Sequence, residues 1–235
     1  MRTLKPVLVA GLIWTQAAIA TPVTTPRGAQ VDVVAEYPDG PGPFPAIVLA
    51  PGTGSRSQKI NDEVASSLKA HGFAVYRFDW AYYVKDRNGT PSDTDRAPEL
   101  EDFATVLALT RHDKRIDGGN ILVGGKSRGT IIAWRIFRED HALRGILQLT
   151  PVCTKDGFTP DQLYPELDRE VRPSLWISGD VDPACNTKTL YDVMSRSARP
   201  GRVAILRGNH DLASDATGAL AAALATDFAA AATGR

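Results

Sequence analysis

The chain has 235 residues, 43% hydrophobic and 23% charged, with a formal net charge of zero. That balance excludes a disordered chain, which would combine low hydrophobicity with high net charge. Zero net charge excludes the electrostatic footprint of a nucleic-acid-binding protein, and the length suits one domain of moderate size.

Residues 1–20 have the layout of a secretory signal peptide. Arg2 and Lys5 open it, "VLVAGLIW" forms a short apolar run, and Ala18-Ile19-Ala20 offers small residues for cleavage after Ala20. The run is too short to cross a bilayer of about 30 Å, so no stable membrane insertion is expected. Export to the periplasm or the outside is expected instead; a buried N-terminal strand is the alternative. Residues 21–43 form a Pro-rich lead-in, an edge strand at "QVDVVAEY" (30–37), and the turn cluster "PDGPGPFP".

Strand and helix patterns then alternate. "AIVLA" (46–50) is a continuous apolar run, as in a strand covered on both faces. Residues 57–72 carry Ile60, Val64 and Leu68 at helical spacing and end on Gly72. "FAVYRFDW" (73–80) is a strand, and 97–112 a helix with Leu100, Phe103, Val106 and Leu107 on one face. "NILVGG" (120–125) is a strand and 130–140 a helix. Further strands fall at 143–150, 174–179 and 202–208, with helices at 188–198 and in the Ala-rich tail, 212–232. The fold class is α/β: a three-layer sandwich with a mostly parallel sheet and helices on both faces. Two loops, 81–96 and 151–173, exceed ordinary connection lengths, and long loops in compact domains are often functional.

Ligands of an open parallel sheet sit at the carboxyl ends of its strands. There the stretch "VGGKSRGT" (123–130) sets Ser127 between Gly125 and Gly129, with a strand before it and a helix after. That is the context of a nucleophile elbow, whose glycines allow strand and helix to approach closely. A plain turn with Ser127 as helix N-cap is the alternative. A serine hydroxyl needs a base to take its proton. His71, His112 and His141 fall near helix ends; only His210, in "RGNHDL", follows a strand at the right edge. The acid that orients the imidazole is expected after the penultimate strand, where "SGDVDPACN" offers Asp180 and Asp182. Asp182, backed by the turn-forming Pro183, is favoured, leaving Asp180 to brace or cap the loop. The backbone N–H groups of Arg128 and of Thr53, in "PGTG", are the expected oxyanion donors. The acids lack the spacing of a metal loop, and this chemistry needs neither metal nor organic cofactor.

"APGTG", "GGKSRG", "GDVDP" and "GNHDL", in that order and spacing, resemble an α/β-hydrolase. More narrowly, the chain is similar to the small dienelactone-hydrolase-like group without a large cap domain, to which "VYRFDW" followed by "DRAPELED" also points. The resemblance covers about residues 44–225 and implies an α/β-hydrolase domain over 44–235. It also implies a Ser-Asp-His hydrolase without fixing its substrate. Members of the group commonly carry His-Gly where this chain has Pro51-Gly52. Many carry a nucleophilic cysteine where this chain has Ser127, which favours ester chemistry over dienelactone hydrolysis itself. The expected partner is a small or modest-sized ester. Amide or peptide cleavage by the same residues is a rival reading; a binding protein that keeps the fold without turnover is another, favoured by the departure at Pro51.

Cys153 and Cys185 follow successive strands, which places them on one sheet edge beside the acid loop. In an oxidising compartment they are expected to pair and brace Asp182, with two unrelated buried thiols as the alternative. Phe158 from one long loop, and Tyr82 and Tyr83 from the other, are candidate pocket walls, as are Leu163, Tyr164 and Trp80; pinning the loops is the alternative role. Lys126 and Arg128 beside the nucleophile either attract an acidic substrate or pair with nearby acids.

Overall fold

The continuous apolar runs become the inner strands of an eight-stranded sheet. The computed structural model describes residues 19–91, 96–154, 157–198 and 201–235. The signal-peptide reading lies almost wholly on residues 1–18, outside the described residues. In chain order the strands are β1 (Thr21–Thr24), β2 (Gln30–Glu36), β3 (Phe44–Ala50), β4 (Ala74–Asp79), β5 (Ile116–Ser127), β6 (Ile146–Pro151), β7 (Ser174–Gly179) and β8 (Arg202–Leu206). Their spatial order is β1-β2-β4-β3-β5-β6-β7-β8. The pairs β1–β2 and β2–β4 are antiparallel; all others are parallel.

β3 shows why its sequence lacks alternation. Ala46, Val48 and Ala50 enter the hydrophobic layer on one face, and Ile47 and Leu49 the layer on the other. α1 (Lys59–Ala70) and α7 (Asp215–Thr233) cover the second face, with Ile60, Val64, Leu68, Ala221, Ala225 and Phe228 buried there. α3 (Ala97–His112), α4 (Arg128–Glu139) and α6 (Thr187–Met194) cover the first face through Phe103, Val106, Ile132, Trp134 and Leu190. α7 has the length and composition of a membrane span, yet its small residues lie against α1, where Ser67 Oγ and Thr226 Oγ1 hydrogen-bond at 2.9 Å.

Three short elements depart from the sequence reading. β1 forms within the Pro-rich lead-in. Its Pro22 is tolerated because β1 is the outermost strand, where a missing N–H leaves no inner partner unpaired. α2 (Ala81–Lys85) and α5 (Pro160–Leu163) form inside the two long loops. One turn of helix is too short for periodicity to register. β5 starts at Ile116 rather than 120 because its first residues, "IDGG", carry almost no strand signal.

Candidate active site

The turn between β5 and α4 is built by steric demand. A Cβ on Gly125 would lie 2.3 Å from the Gly129 carbonyl carbon, and one on Gly129 would lie 2.4 Å from the Pro51 carbonyl oxygen. Neither position can carry a side chain without displacing backbone. Between them Ser127 adopts φ 54° and ψ −121°, a conformation that costs about 1–3 kcal/mol and persists only where its surroundings impose it. Thr130 Oγ1 donates to the Ser127 carbonyl and shares a 2.9 Å hydrogen bond with the buried Tyr164 hydroxyl, anchoring the turn from below.

The strained turn lifts Ser127 Oγ to 2.8 Å from His210 Nε2. His210 Nδ1 lies 2.9 Å from both carboxylate oxygens of Asp182. Asp182 is 1% exposed, and its Oδ1 also accepts the Ala184 N–H at 2.8 Å. Nδ1–H donating to Asp182 leaves Nε2 free to accept the serine proton, the tautomer that a base requires. Three side chains separated by up to 83 positions are thus joined in one hydrogen-bonded line. Asp180 is exposed and accepts the Gly208 N–H at 2.8 Å, so it braces the His210 loop from outside. Gly179 permits this loop to close on β7: a Cβ there would lie 2.2 Å from the Gly208 carbonyl oxygen.

The turn after β3 lies against Ser127. A Cβ on Gly52 would sit 3.4 Å from Ser127 Cβ. Trp80 Nε1 donates to the Gly52 carbonyl at 2.7 Å, and the Tyr82 hydroxyl to the Thr53 carbonyl at 2.9 Å. Burial pushes the Tyr82 hydroxyl pKa well up, so it remains a donor at any ordinary pH. Asp79, buried at the end of β4, holds the same loop by accepting from the Arg56 N–H at 2.6 Å and from its guanidinium. Arg128 opens α4 directly after Ser127, at the first helical position.

Of the residues singled out as pocket walls, Tyr82 is tied to the Thr53 turn, Leu163 and Tyr164 are fully buried in the core, and Trp80 is buried beneath the Gly52 turn. Tyr83 and Phe158 are half-buried and carry guanidinium groups over their rings, Arg87 at 4.8 Å and Arg96 at 4.7 Å. Both basic residues flanking Ser127 face acids: Arg128 Nη2 lies 2.9 Å from Glu99 Oε1, with both side chains buried, and Lys126 Nζ lies 3.2 Å from Asp211 Oδ1. Sequence reasoning did not single out Glu99 or Asp102. Asp102 accepts the Ala81 N–H at 2.9 Å and pairs with Arg27, which ties α2 beside the site. Burial raises the Asp102 carboxyl pKa, and those two donors oppose the rise. The signal for both was two acids at buried positions of an otherwise apolar helical face. Cys153 and Cys185 form a disulfide, with Cα atoms 4.7 Å apart. Among the described residues, no three His, Cys, Asp or Glu side chains gather as for a metal ion.

A parallel sheet with a strained serine on the turn after β5, faced by histidine and acid from later strand ends, defines the α/β-hydrolase architecture. The chain belongs to the alpha/beta hydrolase domain family, whose model matches residues 44–233. It is similar to the quorum-quenching protein AidA of Acinetobacter baumannii, 28% identical over 49% of this chain and 37% of that protein. It is also similar to a pyrethroid hydrolase of Sphingobium wenxiniae, 29% identical over 43% of this chain and 34% of that protein. The chain thus aligns with about a third of the length of these curated relatives. XC6422 of Xanthomonas campestris, described as an α/β serine hydrolase without a lid, shares the fold with a TM-score of 0.65 and 17% identity, covering 95% of this chain and 96% of that one. The α/β-hydrolase fold expected from the motifs is therefore the one the chain adopts.

Proposed function

We propose that the protein is an exported serine hydrolase that cleaves a carboxylic ester of small or modest size. The observation that carries this reading is the unbroken line Ser127 Oγ–His210 Nε2–His210 Nδ1–Asp182, at 2.8 and 2.9 Å. Ser127 attacks the ester carbonyl while His210 takes its proton. Asp182 holds the imidazole in the receiving tautomer and stabilises the imidazolium that forms. The backbone N–H groups of Arg128 and Thr53 receive the developing oxyanion; one such donor contributes roughly 3 kcal/mol of barrier reduction. His210 returns its proton to the leaving alkoxide, then activates water against the acyl-serine. Tyr83 and Phe158 border the substrate. The disulfide supports the export reading, because such bonds persist in oxidising compartments.

The test is labelling by a fluorophosphonate probe together with hydrolysis of p-nitrophenyl acetate and butyrate, compared with the matching anilides. Wild type should be labelled and should cleave the esters faster; Ser127→Ala should do neither. Labelling that survives the substitution would place the nucleophile elsewhere. Faster anilide turnover would make the protein an amidase, and inertness of the folded wild type would leave it a binding protein.

A further inference from the structure

Lys126 stands immediately before the nucleophile, on the face of β5 covered by α1 and α7. Its neighbours on that face, Leu122, Leu147 and Leu149, belong to the apolar core. The Lys126 side chain is only 5% exposed, while that of its partner Asp211 is 69% exposed. A carboxylate so hydrated is strongly screened, and an ion pair of this kind returns little against the cost of burying an ammonium group. Packing alone would be served by methionine. The charge therefore calls for another explanation, and the geometry supplies one. Lys126 Cδ lies 3.6 Å from the place a Gly52 Cβ would occupy, and that place lies 3.4 Å from Ser127 Cβ. The stem passes under the turn that carries Thr53, and Nζ then reaches the residue next to His210.

We propose that Lys126 supplies a fixed positive charge behind the oxyanion position, a role that rests on the serine-hydrolase reading above. It does not touch the reacting atoms, so it is a positioning residue. As Ser127 adds to the ester carbonyl, negative charge builds on the carbonyl oxygen beside the Gly52–Thr53 turn. A buried cation behind that turn stabilises this charge more than it stabilises the neutral ester, because the interior screens less than water and the ammonium is already in place. Asp211 opposes the effect, but only weakly, because water screens its charge.

The experiment compares kcat and KM on p-nitrophenyl butyrate, a neutral substrate, for wild type, Lys126→Met, Lys126→Arg and Asp211→Asn, with thermal unfolding of each. Lys126→Met should lower kcat about tenfold or more and leave KM within about twofold, the pattern of an interaction made only in the transition state. Lys126→Arg should recover most of the loss. Asp211→Asn should leave kcat unchanged or higher, since it removes an opposing charge. A fall in Asp211→Asn as deep as in Lys126→Met would overturn the proposal and reduce the pair to a strut for the His210 loop. Full kcat in Lys126→Met would overturn it too. If Lys126→Met does not fold, Lys126→Gln is read by the same criteria. A wild type inert to the fluorophosphonate defeats the hydrolase reading itself; a labelled wild type with an unimpaired Lys126→Met defeats only the role given to Lys126.

Discussion

Removing the disulfide should weaken the fold and the acid loop together. Cys153 and Cys185 are 32 positions apart and at most 1% exposed, just beyond the ends of the adjacent parallel strands β6 and β7. In the chain-entropy account, closing a loop of that length removes about 12 cal/mol/K from the unfolded ensemble, or about 3.7 kcal/mol at 25 °C. For a domain of this size that corresponds to a melting temperature lower by roughly 7–15 °C. A second, local effect follows from the neighbours of the bond. The Cys153 and Thr154 N–H groups donate to the Ala184 carbonyl at 2.9 and 3.0 Å, and the Ala184 N–H donates to Asp182 at 2.8 Å. Loosening residues 184–185 should therefore cost kcat more than KM if, as proposed, Asp182 orients the base rather than the substrate. The assay is guanidinium unfolding of wild type and of the double variant Cys153→Ala, Cys185→Ala, with ester kinetics on both. Alanine avoids leaving a buried hydroxyl without a partner. Two alkylatable thiols in unreduced wild type would refute the pairing. A stability loss below about 1 kcal/mol, with the bond present in wild type, would refute the entropic argument.

Asp182→Asn should lower kcat by about 10³–10⁴, because the amide favours the wrong imidazole tautomer. Asp180→Asn should cost less than about tenfold, since Asp180 only braces Gly208; equal losses measured by steady-state kinetics would mean that the acid had been misassigned. Away from the site, desolvation pushes the Asp113 carboxyl up, but hydrogen bonds from Tyr37, Tyr76 and the Arg115 N–H, with the Arg115 charge, bring its pKa below 3.8 on balance. A depressed carboxyl adds stability that is complete above the unfolded pKa and is lost as pH falls through the folded value. Acid unfolding should therefore show wild type losing its advantage over Asp113→Asn only below about pH 4; an advantage that is constant down to pH 2 would remove Asp113 from the acid transition.

What was legible in the sequence was what the backbone demands locally. Gly125 and Gly129 announce the elbow because a Cβ at either position would strike backbone, a steric fact confined to the crossing of β5, α4 and Pro51. The inner strands were legible because burial on both faces suppresses polar residues, as Ala46 to Ala50 show. The outer edge was not: β1 lies in a stretch holding Pro22, and only its pairing with β2 makes it a strand. The choice of acid was legible only by preference. Asp180 and Asp182 lie two residues apart in the same turn, yet one faces solvent and the other is buried against His210. That difference depends on where the chain turns after Gly179, which in turn depends on the Gly208 carbonyl 28 or more positions later.

Least legible were the polar contacts that hold the site from behind. Glu99 meets Arg128 across 29 positions, Asp102 meets the Ala81 N–H across 21, and Trp80 meets Gly52 across 28. No periodicity marks such pairs, because each is set by how helices α2 and α3 lie over the sheet. They have one feature in common: each ends on the elbow, on the turn after β3, or on α2 beside it. Ser127, Asp182 and His210 sit at or just past strand ends, while buried polar contacts fix the segments around them. The rigidity needed to hold Ser127 at φ 54° is therefore distributed over residues that carry no chemistry of their own.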